Sequence, residues 1–515
     1  MWNDEAKLAL SLGRDFIGLL RPLDYNQVAP ILYLWMLKAS TSMFGMHEWT
    51  LRLPSLIPGV LMLWVVLLLG RRVLSEVGAL VVVAFAATSP LLIVYAAEVK
   101  PYELDACVSA ILLLLAVRLH EHEDSRRRTV LGLAGVAGIL CSIPAVLILG
   151  AIGGAFLFSA WRRRSWHEAM TTAVWGIIWL GAFFLQRRLI YSGAGTDAVM
   201  KGFWDGVMIR IGDHGWMSRL LTSVRSGVLV AMDPGYRFLS FLAPIIAAIG
   251  TLVIWKRKNG IVALMLALCL GFALFASAVA LWPIDGRLAL FLTPIGFLWF
   301  GAGADLLWPE SPNHTPIKVA LAGLFVLPVV HNLTHPAPFP PLERSRELIS
   351  SLLPRRANDP VYVIPSGVPT WAFYTTDWRH PDFARLAWYA RIEPQRNAPS
   401  RGHAVMESEP TLEWHGPSGI EMVGRFTGMR FIMGRGWLTY TPDPNWGNVE
   451  AKRLAGIGSP VVWVYGSHLP YTLLDRFREG LASNGAEIAT EEAKESGVVW
   501  QVRFRPTRQE FQTAR

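Results

Sequence analysis

Long apolar runs dominate the first two thirds of the chain. A helix needs about 20 mostly apolar residues to cross the roughly 30 Å hydrocarbon core of a bilayer. The candidate spans are Leu51–Gly70, Val77–Ala96, Glu103–Leu119, Thr129–Pro144, Ala145–Ala160, Ala169–Leu185, Phe238–Trp255, Gly260–Leu281, Leu288–Leu307 and Ile317–His331. The fourth and fifth are short and are separated by Pro144. We predict a tight helical hairpin there, with a single bent span as the alternative.

Basic clusters occupy alternate turns between these spans. They are Arg71–Arg72, Arg126–Arg128, Arg162–Arg164 and Lys256–Lys258. Because Lys and Arg in short loops stay on the cytoplasmic side, the remaining turns are predicted to face outward. The outward segments are then Met1–Thr50, Ala97–Tyr102, Arg187–Arg237, Trp282–Arg287 and everything after the last span. This topology also requires a further span ahead of Met1, unless residues 1–50 cross the membrane unaided.

The pattern changes after His331. A proline-rich linker is followed by charged, turn-rich sequence containing short apolar runs of strand type at Val361–Ile364, Val461–Tyr465 and Val498–Phe504. Helical patterns follow the first two runs, at Val368–Thr376 and Pro470–Ala482. Strands that alternate with helices predict a small α/β domain. We therefore predict a mainly α protein: residues 1–335 form a polytopic membrane domain in which 1–50 is an outer loop with juxtamembrane helices, and 336–515 form an α/β domain on the outer face.

Composition supports this division. The 515 residues are 52% hydrophobic and 17% charged, with a mean hydropathy of +0.35, which argues against a soluble multidomain protein. The net charge of +9 is explained by the topology, so no nucleic-acid partner is predicted. Cys107, Cys141 and Cys269 lie in apolar stretches and are interpreted as packing residues.

Three groups of charges lie where lipid would not tolerate them. The first contains Asp4 and Glu5, followed by an amphipathic stretch at Lys7–Leu20; the others are Glu98–Asp105 and Trp282–Arg287. Charged residues at the edge of a span are costly and are therefore often functional. All three groups fall on the predicted outer side. Carboxylates beside cations suit chemistry on a phosphate-bearing substrate, since a carboxylate can accept a proton and cations can stabilise a departing phosphate.

The ordered motifs resemble a known family. They are the acidic pair, RPLDYNQVAPILYLW, FGMHEWTLRLPSL, YAAEVKPYELD and WPIDGRLALFLTP. Over residues 1–331 they are similar to the polytopic GT-C glycosyltransferases, in the branch of the dolichyl-phosphate-mannose protein mannosyltransferases and the bacterial aminoarabinose and galacturonic acid transferases of lipid A. The resemblance implies a GT-C fold in a bacterial cytoplasmic membrane, with the C-terminal domain outside the cytoplasm. It also implies inverting transfer of a monosaccharide from a polyprenyl-phosphate donor to an unknown lipid, glycan or protein acceptor.

The resemblance also implies roles for particular residues. Asp4 and Glu5 match the acidic motif of the first outer loop, and Asp4 would activate the acceptor hydroxyl. Lys100 and Arg287 would bind the donor phosphate. Supporting or substrate-binding roles fall to Tyr25, Gln27, Glu98, Tyr102 and Asp105. The lipid-linked sugar would be a substrate, so no cofactor and no metal ion are predicted.

Simpler interpretations stand beside these. Asp4 and Glu5 can be an ordinary charged terminus, and Lys100 and Arg287 can be anchors that reach the lipid headgroups. Asp105 can be a helix-entry residue that interacts with the helix dipole. Two further functions also fit the sequence: a transporter or flippase of a lipid-linked sugar, and an inactive chain retained as a partner subunit.

Overall fold

The structure is a computed structural model. The residues that it describes are 1–23, 27–190, 202, 204–229, 243–257, 260–307, 326–327, 329–334, 344–356, 359–375, 378, 415–416, 419–420, 431–433, 445–456, 459–468, 471–494 and 497–505. They group into two compact units. One unit comprises Met1–Leu19, Leu23–Gln27 and Pro340–Arg515, and the other comprises Leu20–Pro22 and Val28–Phe339. The sequence did not predict that the first 19 residues pack with the C-terminal segment.

The unit built on residues 28–339 is a bundle of helices. Its helices are α2 Ile31–Phe44, α3 Glu48–Val73, α4 Glu76–Thr88, α5 Pro90–Ala96, α6 Tyr102–Glu121, α7 Ser125–Cys141, α8 Ala145–Arg163, α9 Trp166–Ile190, α10 Trp216–Leu229, α11 Ala243–Lys256, α12 Gly260–Ala278 and α13 Thr293–Leu307. A 3₁₀ segment, Gly286–Leu292, leads into α13. Five described helices are long and apolar enough to span a membrane: Glu48–Val73, Ala145–Arg163, Trp166–Ile190, Gly260–Ala278 and Gly286–Leu306.

Most predicted spans coincide with helices. The predicted hairpin at Pro144 is present: α7 ends at Cys141, α8 begins at Ala145, and Arg163 at the end of α8 pairs with Glu123 just before α7. The predicted span Val77–Ala96 is instead two helices, α4 and α5, bent by 54°. Ser89 caps α5 through its side chain and Pro90 opens that helix, which explains the break. The tenth predicted span, Ile317–His331, lies mostly outside the described residues.

The N-terminal segments also differ from the prediction. The predicted amphipathic helix at Lys7–Leu20 is instead α1, Asn3–Ser11, followed by a short 3₁₀ turn at Gly18–Leu20. Helix α2 lies inside residues 1–50, the segment that was predicted to be an outer loop with juxtamembrane helices. Pro30 precedes α2 in an extended conformation, with φ −61° and ψ 146°, and so marks where the helix begins.

Glycines allow several helices to approach closely. A Cβ atom on Gly78 of α4 would lie 2.9 Å from the carbonyl oxygen of Gly301 in α13, and one on Gly301 would lie 2.7 Å from that of Gly78. On α7, Gly132 and Gly135 receive the indole rings of Trp175 and Trp179 from α9. The Trp179 indole N–H donates to the Gly132 carbonyl at 3.0 Å. Small residues are typical of close helix contacts in membranes.

Ion pairs join the helix ends at the basic turns. The Arg163 guanidinium at the end of α8 lies 2.9 Å from the Glu123 carboxylate and 2.7 Å from that of Glu168 at the start of α9. Arg72, at the end of α3, pairs with Glu121 at the end of α6. The basic turns after α3 and α8 therefore lie at one end of the bundle, as alternating topology requires.

The second unit is an α/β structure. Its strands are β1 Val361–Val363, β2 His415–Gly416, β3 Gly419–Ile420, β4 Phe431–Met433, β5 Val461–Ser467, β6 Ala486–Lys494 and β7 Gly497–Phe504. Its other helices are α14 Ser345–Arg355, α15 Val368–Thr375, α16 Trp446–Ala455 and α17 Tyr471–Ser483. The main sheet has the order β4-β1-β5-β7-β6. Strands β4, β1 and β5 are parallel, whereas β7 is antiparallel to both of its neighbours.

Helix α1 is part of the core of this unit. Its Leu10 is fully buried in a cluster with Leu348 of α14, Trp371 of α15 and Tyr465 of β5. A second cluster, which includes Phe477 of α17 and Trp500 of β7, is built from the alternate residues of the same strands. The acidic motif is therefore carried by a helix whose apolar face packs in the α/β unit.

Candidate active site

The helical bundle contains a partly open cavity of about 130 Å³, lined mostly by apolar surface with a few charged side chains. The residues that line it are Val28, Pro30, Lys100, Pro101, Tyr102, Asp105, Ile143, Pro144, Arg187, Trp204, Met208, Ala280, Leu281, Trp282, Pro283 and Leu288. They come from the segment before α2, the α5–α6 turn and the beginning of α6, the α7–α8 turn, the end of α9, the segment before α10 and the segment after α12. These turns meet at one end of the bundle, and they are the turns that the charge pattern predicted to share a side.

Lys100 is held at the cavity through its backbone. Its carbonyl oxygen accepts a hydrogen bond from the Ser55 hydroxyl of α3 at 2.9 Å. The Ser55 hydroxyl is in turn 3.1 Å from the Tyr33 hydroxyl of α2. Lys100 is only 9% exposed. Helices α2 and α3 therefore fix the main chain at Lys100.

Arg287 stacks on the aromatic wall of the site. Its Cζ atom lies 5.5 Å from the centre of the Tyr102 ring and 5.8 Å from that of Trp204. Tyr102 also makes an edge-to-face contact with Tyr95 at 5.2 Å. The Arg287 guanidinium also interacts with the Tyr95 hydroxyl, and the buried Glu98 carboxylate lies near that same hydroxyl. Cation–π contacts of this kind orient a guanidinium without consuming all of its donors.

Asp105 is the carboxylate of the cavity. It is 6% exposed and lies in the first turn of α6, where its backbone N–H donates to the Pro101 carbonyl at 2.8 Å. Its carboxyl group faces the Ser142 hydroxyl from the end of α7. Its Oδ1 atom has no hydrogen-bond partner among the described residues. A buried acceptor without a partner is costly, so it marks a position where a ligand can compensate.

Sequence reasoning missed Arg187 and gave Trp204 no role in a site. Both line the cavity, as does Trp282. The neighbouring Gln186 side chain fixes this end of α9, because it accepts from the Ile31 N–H at 3.2 Å and donates to the Ile139 carbonyl at 2.7 Å. The sequence feature that could have identified Arg187 is the polar pair Gln186-Arg187 at the end of an otherwise apolar span.

The acidic motif lies in the other unit. The Lys7 ammonium of α1 lies 3.1 Å from the Asp4 carboxylate. The Glu5 carboxylate is 1% exposed and accepts a hydrogen bond from the Trp2 backbone N–H at 3.1 Å. Glu5 thereby caps the first turn of α1, a structural role that the sequence analysis did not assign to it.

The predicted site residues therefore fall into two sets. Lys100, Tyr102 and Asp105 share one cavity, and Arg287 and Glu98 flank its aromatic wall. Asp4, Glu5 and Gln27 belong to the α/β unit. Tyr25 lies outside the described residues. In the described part of the chain, no three His, Cys, Asp or Glu side chains are grouped as metal ligands.

Residues 28–185 match the family model of the dolichyl-phosphate-mannose-protein mannosyltransferases. This segment contains Lys100, Tyr102 and Asp105, and it ends two residues before Arg187. Over this part of the chain, the match agrees with the resemblance that the motifs indicated. No curated protein matches the chain in sequence.

Solved structures with similar folds extend over nearly the whole chain. One is the oligosaccharyltransferase of Archaeoglobus fulgidus tethered with an acceptor peptide, which is 12% identical, with a TM-score of 0.50 over 97% of this chain and 69% of that one. Another is ArnT from Cupriavidus metallidurans in the apo state, 15% identical, with a TM-score of 0.46 over 96% and 93%. The same enzyme bound to undecaprenyl phosphate is 14% identical, with a TM-score of 0.43 over 97% and 93%. The predicted fold class, a GT-C-type membrane bundle with a small α/β domain, is confirmed.

Proposed function

We propose that the protein is an inverting glycosyltransferase that moves a monosaccharide from a polyprenyl-phosphate donor to a lipid, glycan or protein acceptor. The observation that carries the proposal is the cavity, which combines the cations Lys100 and Arg187 with aromatic walls and one carboxylate at the end of an apolar bundle. A lipid-linked sugar phosphate has the matching parts: an apolar tail, an anionic phosphate and a hydroxylated ring. The family-model match over residues 28–185 supports the same class of reaction.

In the proposed reaction, Lys100, Arg187 and Arg287 bind the donor phosphate. As the bond between the anomeric carbon and the phosphate oxygen breaks, negative charge grows on the departing polyprenyl phosphate, and the cations stabilise it. Asp4 accepts the proton of the acceptor hydroxyl, whose oxygen forms the new glycosidic bond from the opposite face of the ring. A metal ion is not required, so activity should persist in chelator.

The basic helix ends support the proposed orientation. The turns at Arg72 and Arg163 would face the cytoplasm of a bacterial cell, following the positive-inside rule. The cavity is lined by the turns that alternate with these basic turns along the chain. It would then open toward the outer leaflet. The C-terminal α/β domain would lie outside the cytoplasm.

A transfer assay with a separate binding assay tests the proposal. The full-length protein in vesicles would receive undecaprenyl-phosphate sugars carrying a labelled mannose, aminoarabinose or galacturonic acid, together with an envelope extract as acceptor. We expect label in a new product for the wild type, and a loss of about 10²–10⁴-fold in Asp4→Asn, whose binding of undecaprenyl phosphate is unchanged. Glu487→Gln, at an exposed position of β6, is the matched control.

Three outcomes contradict the proposal or part of it. Full turnover in Asp4→Asn removes the proposed base. Movement of the intact donor between leaflets, with no new product, identifies a flippase. Failure of the wild type to bind undecaprenyl phosphate at all removes the donor site.

A further inference from the structure

The carboxylates of two turns at the basic end of the helical bundle are paired with arginines. One turn joins α6 to α7 and the other joins α8 to α9. The pairs there are Glu121–Arg72, Glu123–Arg128, Glu123–Arg163, Asp124–Arg127 and Glu168–Arg163. Glu123 and Arg163 also join the two turns to each other, at a distance of 2.9 Å. The described carboxylates of these turns are therefore already neutralised.

Three further arginines of the same turns are not neutralised. In the part of the chain that the structure describes, the guanidinium groups of Arg126, Arg162 and Arg164 form no ion pair. All three residues are exposed. We call these three residues the basic patch. A guanidinium presents a planar set of donors that matches the oxygens of a phosphate, so the patch can bind a phosphate without breaking an ion pair of the protein.

The backbone at Arg164 indicates that its side chain is not selected for stability. Arg164 has φ 57° and ψ 32°, in the left-handed region. Its N–H donates to the Trp161 carbonyl at 3.1 Å, and the Ser165 N–H donates to the Ala160 carbonyl at 2.9 Å, which is the pattern of a Schellman motif. Glycine is the usual residue at this position because it has no Cβ. Arginine is less favourable there, and no ion pair in the described residues compensates for it.

Arg126 is also placed unfavourably for the fold alone. It lies in the first turn of α7, where the helix dipole disfavours a cation. The Asp124 side chain caps that turn by accepting a hydrogen bond from the Arg127 N–H at 2.7 Å. An anion bound beside Arg126 would offset the unfavourable charge.

Two exposed tryptophans accompany the basic patch. Trp161, in the last turn of α8, is 74% exposed, and Trp166, the first residue of α9, is 83% exposed. In a multi-pass membrane protein, exposed indoles concentrate at the level of the lipid headgroups. The phosphates of phospholipids lie at the same level. The arginines and indoles of the α8–α9 turn thus match the two parts of a lipid at the edge of a bilayer.

We propose that the basic patch, with Trp161 and Trp166, binds the headgroup phosphate of an anionic phospholipid. A zwitterionic headgroup would need a carboxylate for its ammonium group, and the described carboxylates of these turns already bind arginines. The patch lies at the beginning of α7, whereas the cavity lies at the end of that helix. The inference therefore concerns a second site and does not depend on the proposed function.

Lipid titration of the full-length protein in detergent tests the inference. The probes are dioctanoyl phosphatidylglycerol and dioctanoyl phosphatidylcholine, and bound lipid is counted by native mass spectrometry. For the wild type we expect phosphatidylglycerol to bind at least about 10-fold more tightly than phosphatidylcholine. In the double variant Arg162→Gln/Arg164→Gln, this preference should fall to about 2-fold.

A matched double variant separates a site from general attraction. Arg71→Gln/Arg72→Gln removes the same number of charges at the same end of the bundle, but these arginines pair with Glu76 and Glu121. It should keep the wild-type preference. Equal losses in the two double variants would mean that the lipid responds only to overall charge, and the site would be refuted.

Arg164→Gly gives two readouts that a structural role cannot produce together. Glycine relieves the left-handed backbone and removes the guanidinium. We expect an equal or higher melting temperature together with phosphatidylglycerol binding weakened by about 5-fold. A lower melting temperature with unchanged lipid preference would assign Arg164 to the fold and overturn its role in binding.

Two results for the wild type would also overturn the inference. One is the absence of any preference for phosphatidylglycerol, which removes the site. The other is displacement of the lipid by excess inorganic phosphate, which would identify a site for free anions. Neither result affects the proposed function, which is measured separately by binding of undecaprenyl phosphate and by transfer.

Discussion

The Asp305 carboxylate accepts a hydrogen bond from the backbone N–H of Ser75 at 2.9 Å, although the two residues are 230 positions apart. It also accepts from the Gly78 N–H at 3.1 Å and lies 3.0 Å from the Arg257 guanidinium. The Asp305 side chain has no exposed surface. One carboxylate from the end of α13 thus caps the beginning of α4 and binds the end of α11.

Replacing Asp305 should destabilise the helical bundle. Asp305→Ala leaves the N–H groups at the start of α4 and the Arg257 guanidinium without this acceptor, at a cost of about 1–3 kcal/mol. Thermal unfolding of the full chain in detergent measures the effect. Glu76→Ala is the matched control, because the Glu76 side chain is 74% exposed and its pair with Arg71 should contribute less than about 1 kcal/mol. Equal melting temperatures for the two variants would refute the capping role.

A methyl group at Gly78 should disrupt the same contact. The added Cβ would lie 2.5 Å from the Asp305 Oδ1 atom and 2.9 Å from the Gly301 carbonyl oxygen. We expect Gly78→Ala to lower the melting temperature. Gly176→Ala is the opposite case, since nothing lies within 4 Å of its added Cβ, and alanine favours a helix over glycine by up to about 1 kcal/mol. A Gly78→Ala variant as stable as Gly176→Ala would contradict the close packing.

Capping and catalysis can be separated at Glu5. Its carboxylate accepts from the Trp2 N–H, a bond that the amide oxygen of glutamine can also accept. We therefore expect Glu5→Gln to retain transfer within about 3-fold, and Glu5→Ala to lose about 0.5–2 kcal/mol of stability through loss of the cap. Activity and melting temperature are measured on the same samples. A collapse of transfer in a well-folded Glu5→Gln variant would assign the chemistry to Glu5 as well as Asp4.

Arg287 should require its planar guanidinium. Lysine in its place keeps the charge but loses stacking on Tyr102 and Trp204, so Arg287→Lys should weaken binding of undecaprenyl phosphate by about 2- to 10-fold. Isothermal titration in detergent reports the affinity. Arg210→Lys is a suitable control because Arg210 is exposed and pairs with Asp205. Unchanged affinity in Arg287→Lys would mean that only the charge matters.

A buried network in the α/β unit predicts alkaline sensitivity. The Tyr362 hydroxyl donates to the Glu450 carboxylate at 2.7 Å, and Arg453 also binds that carboxylate. Burial, and then the charge of Glu450, raises the pKa of Tyr362 well above its usual value of about 10. The folded state thus holds the phenolic proton more tightly than the unfolded state. Its contribution is complete below about pH 10 and declines as the pH rises toward the folded pKa.

Comparison with Tyr362→Phe tests this prediction. The free energy of unfolding of the full chain should fall more steeply above about pH 10 in the wild type than in Tyr362→Phe. Tyr33→Phe is the control for removal of a buried phenol elsewhere in the chain. Parallel pH profiles for wild type and Tyr362→Phe would show that Tyr362 does not contribute.

Elements with strong local patterns were predictable. The apolar run at Val361–Val363 and the helix that begins at Val368 occur as predicted, and so does the boundary at Pro144. Strand β6 was missed because its solvent-facing residues are mostly polar and charged, AEIATEEAK, and no apolar alternation marks them. Helix α16 was missed for a similar reason, since its apolar residues form only a narrow stripe.

The candidate site was only partly predictable. Lys100 and Asp105 were identified because charges beside apolar spans are conspicuous. Arg187 was not, because a polar Gln-Arg pair at the end of an apolar span also fits an ordinary interfacial helix end; its role depends on how α9 and the segment after α12 meet. The packing of Leu10 beside Trp371 is likewise a contact between distant parts of the chain, which no local pattern encodes.

The burial of Leu10 among residues of the C-terminal segment affects how deletion experiments are interpreted. A chain cut after residue 339 would deprive α1 of Leu348, Trp371 and Tyr465, leaving an isolated nine-residue helix, a length that is marginal in water. Loss of function in such a truncation would not reveal an independent task for the missing portion. It would instead follow from melting of the short helix that carries the acidic pair.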